Sequence, residues 1–184
     1  MQEQPDVTKW DAWRPEEVAR RLSNVEVPWY IAAGWALDLF LGGGHRAHED
    51  IEIGVPRDRF NELADALEGF EFVEITEHQT WVRQPDTGAW RLDIFSEPSD
   101  GDTWLCRRDE RIRLPYGNVI EHSDQGIPYA RPEIVLLFKA KHRRVKDDAD
   151  FAALLPRLEP ERRRWLAEAL ELVHPGHPWL VQLG

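Results

Sequence analysis

Asp50 and Glu52 stand in the run Asp50-Ile51-Glu52-Ile53, where acidic and aliphatic residues alternate. On a strand, successive side chains point to opposite faces, so the two carboxylates share one face while Ile51 and Ile53 enter a core on the other. A carboxylate pair on a rigid element suits a divalent cation. Mg2+ takes one or two protein carboxylates and completes its octahedron with water and substrate phosphate oxygens. The same alternation also describes a half-buried strand with a solvated acidic face, and the pattern alone does not separate the two.

The elements ahead of the pair add a second function. Trp29-Tyr30-Ile31-Ala32-Ala33 is an apolar run that fits a buried strand, Gly34 ends it, and Trp35 to Leu41 takes up helical spacing. A strand, a glycine turn and a helix N-terminus form an anion site, because the free N–H groups of the first helical turn point at a ligand and glycine allows it close approach. Gly42-Gly43-Gly44 stops the helix, and a short link returns the chain to the acidic strand. A phosphate grip at Gly34 and Trp35 thus lies beside a metal grip at Asp50 and Glu52.

This arrangement resembles the nucleotidyltransferase superfamily that shares its fold with DNA polymerase beta. Within it the chain is most similar to the aminoglycoside 2''-adenylyltransferase-like and lincosamide nucleotidyltransferase-like proteins. The residues that carry the resemblance are Gly34, Trp35, Ala36, Asp38, Gly42, His48, Asp50 and Ile51; it is strong over residues 29 to 55, extends to Asp93 and thins beyond. It implies an α+β nucleotidyltransferase fold, a mixed β-sheet flanked by helices. It also implies Mg2+ or Mn2+ as cofactor and ATP as nucleotide donor. The implied reaction moves a nucleoside monophosphate, most simply AMP, to a hydroxyl of a small molecule such as an aminoglycoside-like or lincosamide-like compound. Members carry a third acid on a neighbouring strand, and Asp93 in Arg91-Leu92-Asp93-Ile94-Phe95 matches it, as third metal ligand or as general base. Two positions depart from the pattern. Ala33 stands where the turn usually has glycine, and Glu52 where the resistance enzymes carry Asp, a displacement of about one C–C bond that bears on catalysis, since an error of about 1 Å costs on the order of 100-fold in rate.

Composition sets the outer limits. The 184 residues, 42% of them hydrophobic and with 9 Trp, suit one good core or one domain with a helical appendage. No apolar stretch approaches a membrane span, the stretch Met1 to Lys9 is too polar for a signal peptide, and the single Cys106 excludes an internal disulfide; a cytoplasmic protein is expected. A net charge of -11 argues against general nucleic-acid binding and suits a cationic small acceptor.

In chain order, residues 1 to 13 read as an arm that packs Trp10 and Trp13. A helix is predicted from Pro15 to about Asn24, and another from Pro56-Arg57-Asp58 to near Gly69. Strands follow at Phe70–Ile75, Thr80–Arg83 and Ala89–Phe95, with a turn at Pro85–Gly88. Ser96 to Thr103 reads as a polar loop, and short strands are expected at Thr103–Arg107, Ile112–Leu114 and Val119–His122. The division predicted is a nucleotidyltransferase domain over 1–130 and a helical region over 131–184, with helices from Pro132 to about Arg144, Lys146 to Leu155 and Pro160 to Val173. Its basic island makes Lys139 and Lys141 the candidate contacts for a triphosphate, the other reading being a solvated face with local ion pairs. His174 and His177 are too few for a structural zinc site, and the tail is expected to dock Trp179 and Leu180. Three further readings stand beside the enzyme: the same fold acting on a protein or tRNA, a nucleotide-binding module without catalysis, and an interaction module.

Overall fold

The computed structural model describes residues 5–44 and 46–184; residues 1–4 of the predicted arm lie outside the described residues. The described residues form ten strands and seven α-helices. The strands are β1 Tyr30–Ile31, β2 Glu52–Pro56, β3 Glu71–Thr76, β4 Gln79–Arg83, β5 Trp90–Glu97, β6 Ser99–Asp100, β7 Thr103–Leu105, β8 Arg113–Pro115, β9 Ile120–His122 and β10 Pro128–Ala130. The helices are α1 Pro15–Arg21, α2 Ala33–Leu41, α3 Phe60–Asp65, α4 Pro132–Lys139, α5 Val145–Leu154, α6 Pro160–Val173 and α7 Leu180–Leu183.

Seven strands make one mixed sheet in the order β3-β4-β5-β2-β1-β10-β9, and β6, β7 and β8 make a small antiparallel one. The parallel pairs are β2 with β5 and β1 with β10; the remaining pairs of the large sheet are antiparallel. This is the α+β architecture with a mixed sheet flanked by helices. The sheet is amphipathic by register. Ile51, Ile53, Val55, Leu92 and Ile94 are fully buried. Alternation turns Glu52 and Gly54 of β2, and Asp93, Phe95 and Glu97 of β5, to the other face.

The arm is tied down by β5. Asp11 N donates to Trp90 O and Trp13 N to Arg91 O, so the arm runs beside the start of β5, short of the point where β2 begins to pair. Trp10 packs edge-on against Trp81, Trp13 against Phe70, and the Arg21 guanidinium lies 4.3 Å from the Trp13 ring. At the other end Trp179 is buried, stacked on Phe151 with 4.4 Å between centroids, and donates from Nε1 to Asp148 at 2.8 Å. One contiguous hydrophobic cluster runs from Trp13 through the sheet to Leu183, so the residues on either side of position 130 share a core.

Several boundaries differ from the sequence reading. Two α-helices end sooner, α1 at Arg21 and α4 at Lys139, where 3-10 or open turns take over, while α6 spans Pro160–Val173 as read. β5 runs on to Glu97, taking two residues from the predicted polar loop, and both of them, Ser96 and Glu97, are buried. β10 was not anticipated. Its Pro128 has no N–H to give but stands at the first residue of the strand, where proline is tolerated, and Tyr129 pairs with Ile31.

Candidate active site

β1, α2 and the return to β2 form the frame of the site. The turn begins at Ala32, which is extended, and passes through Ala33 at φ +49°, the left-handed region that costs an L-residue about 1–2 kcal/mol. The departure read in the sequence therefore falls on the one non-glycine positive-φ position among the described residues. Gly34 follows because nothing larger fits. A Cβ there would lie 2.4 Å from His48 Cε1 and 2.6 Å from the Arg46 guanidinium. The His48 ring is thus seated on the turn, with its Nε2 2.8 Å from the buried Asp38 carboxylate, and burial holds the imidazole below its usual pKa range.

Trp35 is a positioning residue. Its indole lies over His48, 4.6 Å between centroids, and its Nε1 donates to the backbone carbonyl of Asp50 at 3.0 Å. This fixes the chain just as it enters β2. Asp50 itself precedes the strand, which opens at Glu52, and is exposed; the expected strand Asp50–Ile53 is displaced by two residues. The carboxylates brought together in register are instead Glu52 and Asp93, Cα partners on the parallel β2–β5 pair.

This pair is electrostatically loaded. Burial, and then the charge of Asp50, raise Glu52 to about 7. Asp93, 3% exposed, is raised well above the carboxylate range by burial and then by Glu52. Gln79 Nε2 donates to Asp93 Oδ2 at 2.7 Å, while Oδ1 is buried without a hydrogen-bond partner. Two like charges and an orphaned carboxylate oxygen are what a cation or a proton would relieve. The donor set fits Mg2+ or Mn2+ as carboxylates that need phosphate oxygens or water to complete a shell. Among the described residues no group of three or more His, Cys, Asp or Glu side chains is arranged to hold a metal ion, so Asp50, Glu52 and Asp93 are not a preformed three-ligand cage.

A cleft of about 560 Å³ opens over this face, in the range of small-molecule sites. Its lining includes the turn Ala33–Trp35, Arg46, Glu52, Lys139, Arg144 and Lys146, and also Phe95, Glu97, Arg107 and Arg108. The basic residues sort differently from the sequence reading. Lys139 lines the cleft but is nearly buried between Asp147 (3.1 Å) and Asp150 (2.9 Å). Arg144 pairs with Asp147 at 2.8 Å and Arg46 with Asp150 at 3.4 Å. Lys146, exposed at the mouth, has no ion pair among the described residues. Lys141 does not reach this cleft and lines a neighbouring one.

Three contributors escaped the sequence reading. Glu97 is buried on the site face and accepts from Arg107 at 2.6 Å. The Arg107 guanidinium is clamped between Phe95 and Phe138, 4.6 Å from each ring. Tyr30 lies flat on the sheet over Gly54, where a Cβ would stand 2.3 Å from its ring. Continuing the alternation Arg91, Asp93, Phe95 by one more step would have placed Glu97 on the same face.

Residues 16–103 match the model of the Aminoglycoside-2''-adenylyltransferase family, a stretch that contains the turn, both acidic positions and Asp93. Among solved structures, ANT(2'')-Ia in complex with adenylyl-2''-tobramycin is 17% identical with a TM-score of 0.63, covering 85% of this chain and 94% of its own. The chain has the fold of the nucleotidyltransferase superfamily. The nucleotidyltransferase fold recurs in the lincosamide antibiotic adenylyltransferase LnuA in its lincomycin-bound form, 20% identical, TM-score 0.58, covering 76% of this chain and 92% of that one. It recurs again in an antigenic nucleotidyltransferase-like protein from Paracoccidioides brasiliensis, 18% identical, TM-score 0.52, covering 91% and 88%. The search of curated proteins gave no match.

Proposed function

We propose that the protein transfers a nucleoside monophosphate, AMP from ATP, to a hydroxyl of a small acceptor. The observation that carries this reading is the pairing of Glu52, which lines the cleft, with the buried Asp93 on the neighbouring strand, beside a helix N-terminus flanked by cations. The triphosphate lies against the first turn of α2, with Lys146 and Arg144 at the mouth. Asp50 and Glu52 are the residues that would hold Mg2+, and the ion would supply charge neutralisation at the phosphates.

Asp93 fits the base role better than that of a further ligand. Burial with Glu52 beside it makes the carboxylate a stronger base than a solvated one, a shift that Gln79 and the Trp81 indole partly offset. The acceptor oxygen gives its electron pair to the α-phosphorus and its proton to Asp93. The bond from the α-phosphorus to the bridging oxygen breaks, and the electron pair leaves on pyrophosphate.

The test is pyrophosphate release with ATP, Mg2+ or Mn2+ and a panel of hydroxylated acceptors, alongside ATP–Mg2+ affinity. Asp50→Asn should abolish metal-dependent ATP binding. Asp93→Asn should leave that affinity nearly intact and lower the single-turnover rate by about 100 to 10,000-fold. Unchanged ATP–Mg2+ affinity in Asp50→Asn overturns the metal assignment, and an unchanged rate in Asp93→Asn removes it from the chemistry.

A further inference from the structure

Part of the lining of the main cleft is shared with a second one. Phe95, Arg107 and Arg108 line both, and the second continues over Thr76, His78, Lys141 and His174. With the triphosphate assigned to the first turn of α2, the part of the cleft lined by Phe95, Arg107 and Arg108 is left for the acceptor. It lies on the flank of Asp93, because Gln79, which holds Asp93, is the register partner of Phe95.

The charge here runs against that of the whole molecule. The chain carries -11, yet the second cleft gathers three permanent cations and two imidazoles. Part of that charge is answered internally. Arg107 is paired with Glu97, and His78 lies 3.0 Å from the exposed Glu77. Arg108 is not answered. Its guanidinium packs 5.3 Å from the Phe138 ring, and its contact with the Phe138 carbonyl is a long one at 3.5 Å. Its Nε is buried without a hydrogen-bond partner. No carboxylate lies within ion-pair distance of Arg108 or Lys141 among the described residues. His174 Nε2 is likewise buried without a partner, and the imidazole is held below its usual range by burial first and then by Arg108.

We propose that Arg108, Lys141 and His174 form an anion subsite, so that the acceptor is a hydroxylated compound carrying a phosphate or carboxylate group. The alternative, an amine-bearing acceptor, meets the wrong surface. Glu97 is paired through Oε1 with Arg107 and keeps Oε2 buried without a partner, so an ammonium would find one half-used carboxylate set against Arg108 and Lys141, which have no ion pair among the described residues. An oxyanion instead takes up their idle donors, with the Arg108 fork suited to bidentate contact. The inference rests on the transferase reading for its substrate role, while the subsite itself does not.

The probes are inorganic phosphate and acetate, titrated with and without ATP–Mg2+ while the Arg108 Nε–H resonance is followed by NMR. Saturable shifts with either anion are expected, and comparing the two anions tells phosphate from carboxylate. Arg108→Gln and Lys141→Gln should each weaken binding about ten- to a hundredfold, and Lys141→Gln, outside the main cleft, should leave ATP–Mg2+ affinity unchanged. Absence of a saturable shift, or binding that both variants leave intact, overturns the subsite. If the anion binds here but ATP–Mg2+ does not bind at all, the subsite stands and the transferase reading falls. The acceptor class is read in the pyrophosphate assay by comparing ribose with ribose 5-phosphate and gluconate, and these with kanamycin. Turnover confined to kanamycin overturns the acceptor assignment.

Discussion

Glu52 decides whether the site is poised for a cation or for a proton. Its carboxyl titrates at about 7 in the folded protein, above its usual 4.5, because of burial and then Asp50. A raised acid binds its proton more tightly folded than unfolded, so its contribution to stability is full below about pH 4.5 and is lost as pH rises through about 7. Asp93 acts in the same direction. The metal-free protein should therefore lose stability between about pH 5 and 7.5, and Glu52→Gln should flatten that slope. Mg2+ competes with the proton, so its stabilising effect should be larger at about pH 8 than at about pH 5.5. Urea unfolding across this range, with and without Mg2+, checks both, and an unchanged slope in Glu52→Gln would remove Glu52 from the loaded pair. The acids were legible as residues, since their alternation with isoleucine is a local pattern. That Asp50 stands outside β2 and Glu52 beside Asp93 was not, because register is set by pairing between strands far apart in sequence.

At the scale of elements, the α4–α5 corner shows why a basic run is hard to interpret from sequence. Lys139, Lys141, Arg144 and Lys146 are near neighbours in the chain, yet the bend after Lys139 sends them to different places. Lys139 turns inward to the buried Asp147 and Asp150, Lys141 to the second cleft, and Lys146 to the mouth of the first. Removing a cation from buried carboxylates leaves their charge uncompensated. Lys139→Met should accordingly destabilise the fold by about 3 kcal/mol, so any loss of nucleotide binding follows loss of structure. Lys146→Gln should weaken ATP binding with the urea midpoint unchanged. Measuring midpoint and ATP affinity on both variants separates the roles; the reverse pattern would return the triphosphate contact to Lys139. The helices themselves were legible from proline at their first turn and their apolar spacing, as α4 and α6 show. The early end of α4 was not, because the 3-10 turn Ala140–His142 takes over after Lys139 with no proline or glycine to mark it in the sequence.

For the molecule as a whole, sequence suggested a division near residue 130, with the helical part packed against the rest, and one hydrophobic cluster spans that position. Leu136 and Leu137 of α4 are as fully buried as Ile31 of β1 and Leu37 of α2, and the same cluster continues to Leu166, Leu170 and Trp179. Composition changes at 130 because strands give way to helices, and no exposed, Gly- or Ser-rich linker marks a boundary there: Ala130 is buried, and Pro132 opens α4 two residues later. Elements that share one core should unfold together. Trp179, 2% exposed and stacked on Phe151 near the end of the chain, is the most distant probe of that coupling. Trp179→Ala should cost about 3–5 kcal/mol, and the loss should appear in the whole transition. Far-ultraviolet circular dichroism and tryptophan fluorescence should remain coincident through urea unfolding, at a lower midpoint. Two separated transitions, the helical one shifted and the sheet one unmoved, would establish 131–184 as an independent unit. The cations of α4 and the residues that follow it would then reach the cleft from a body able to move against the sheet, whereas a single transition means that Glu52, Arg108 and Lys146 are held in one rigid frame.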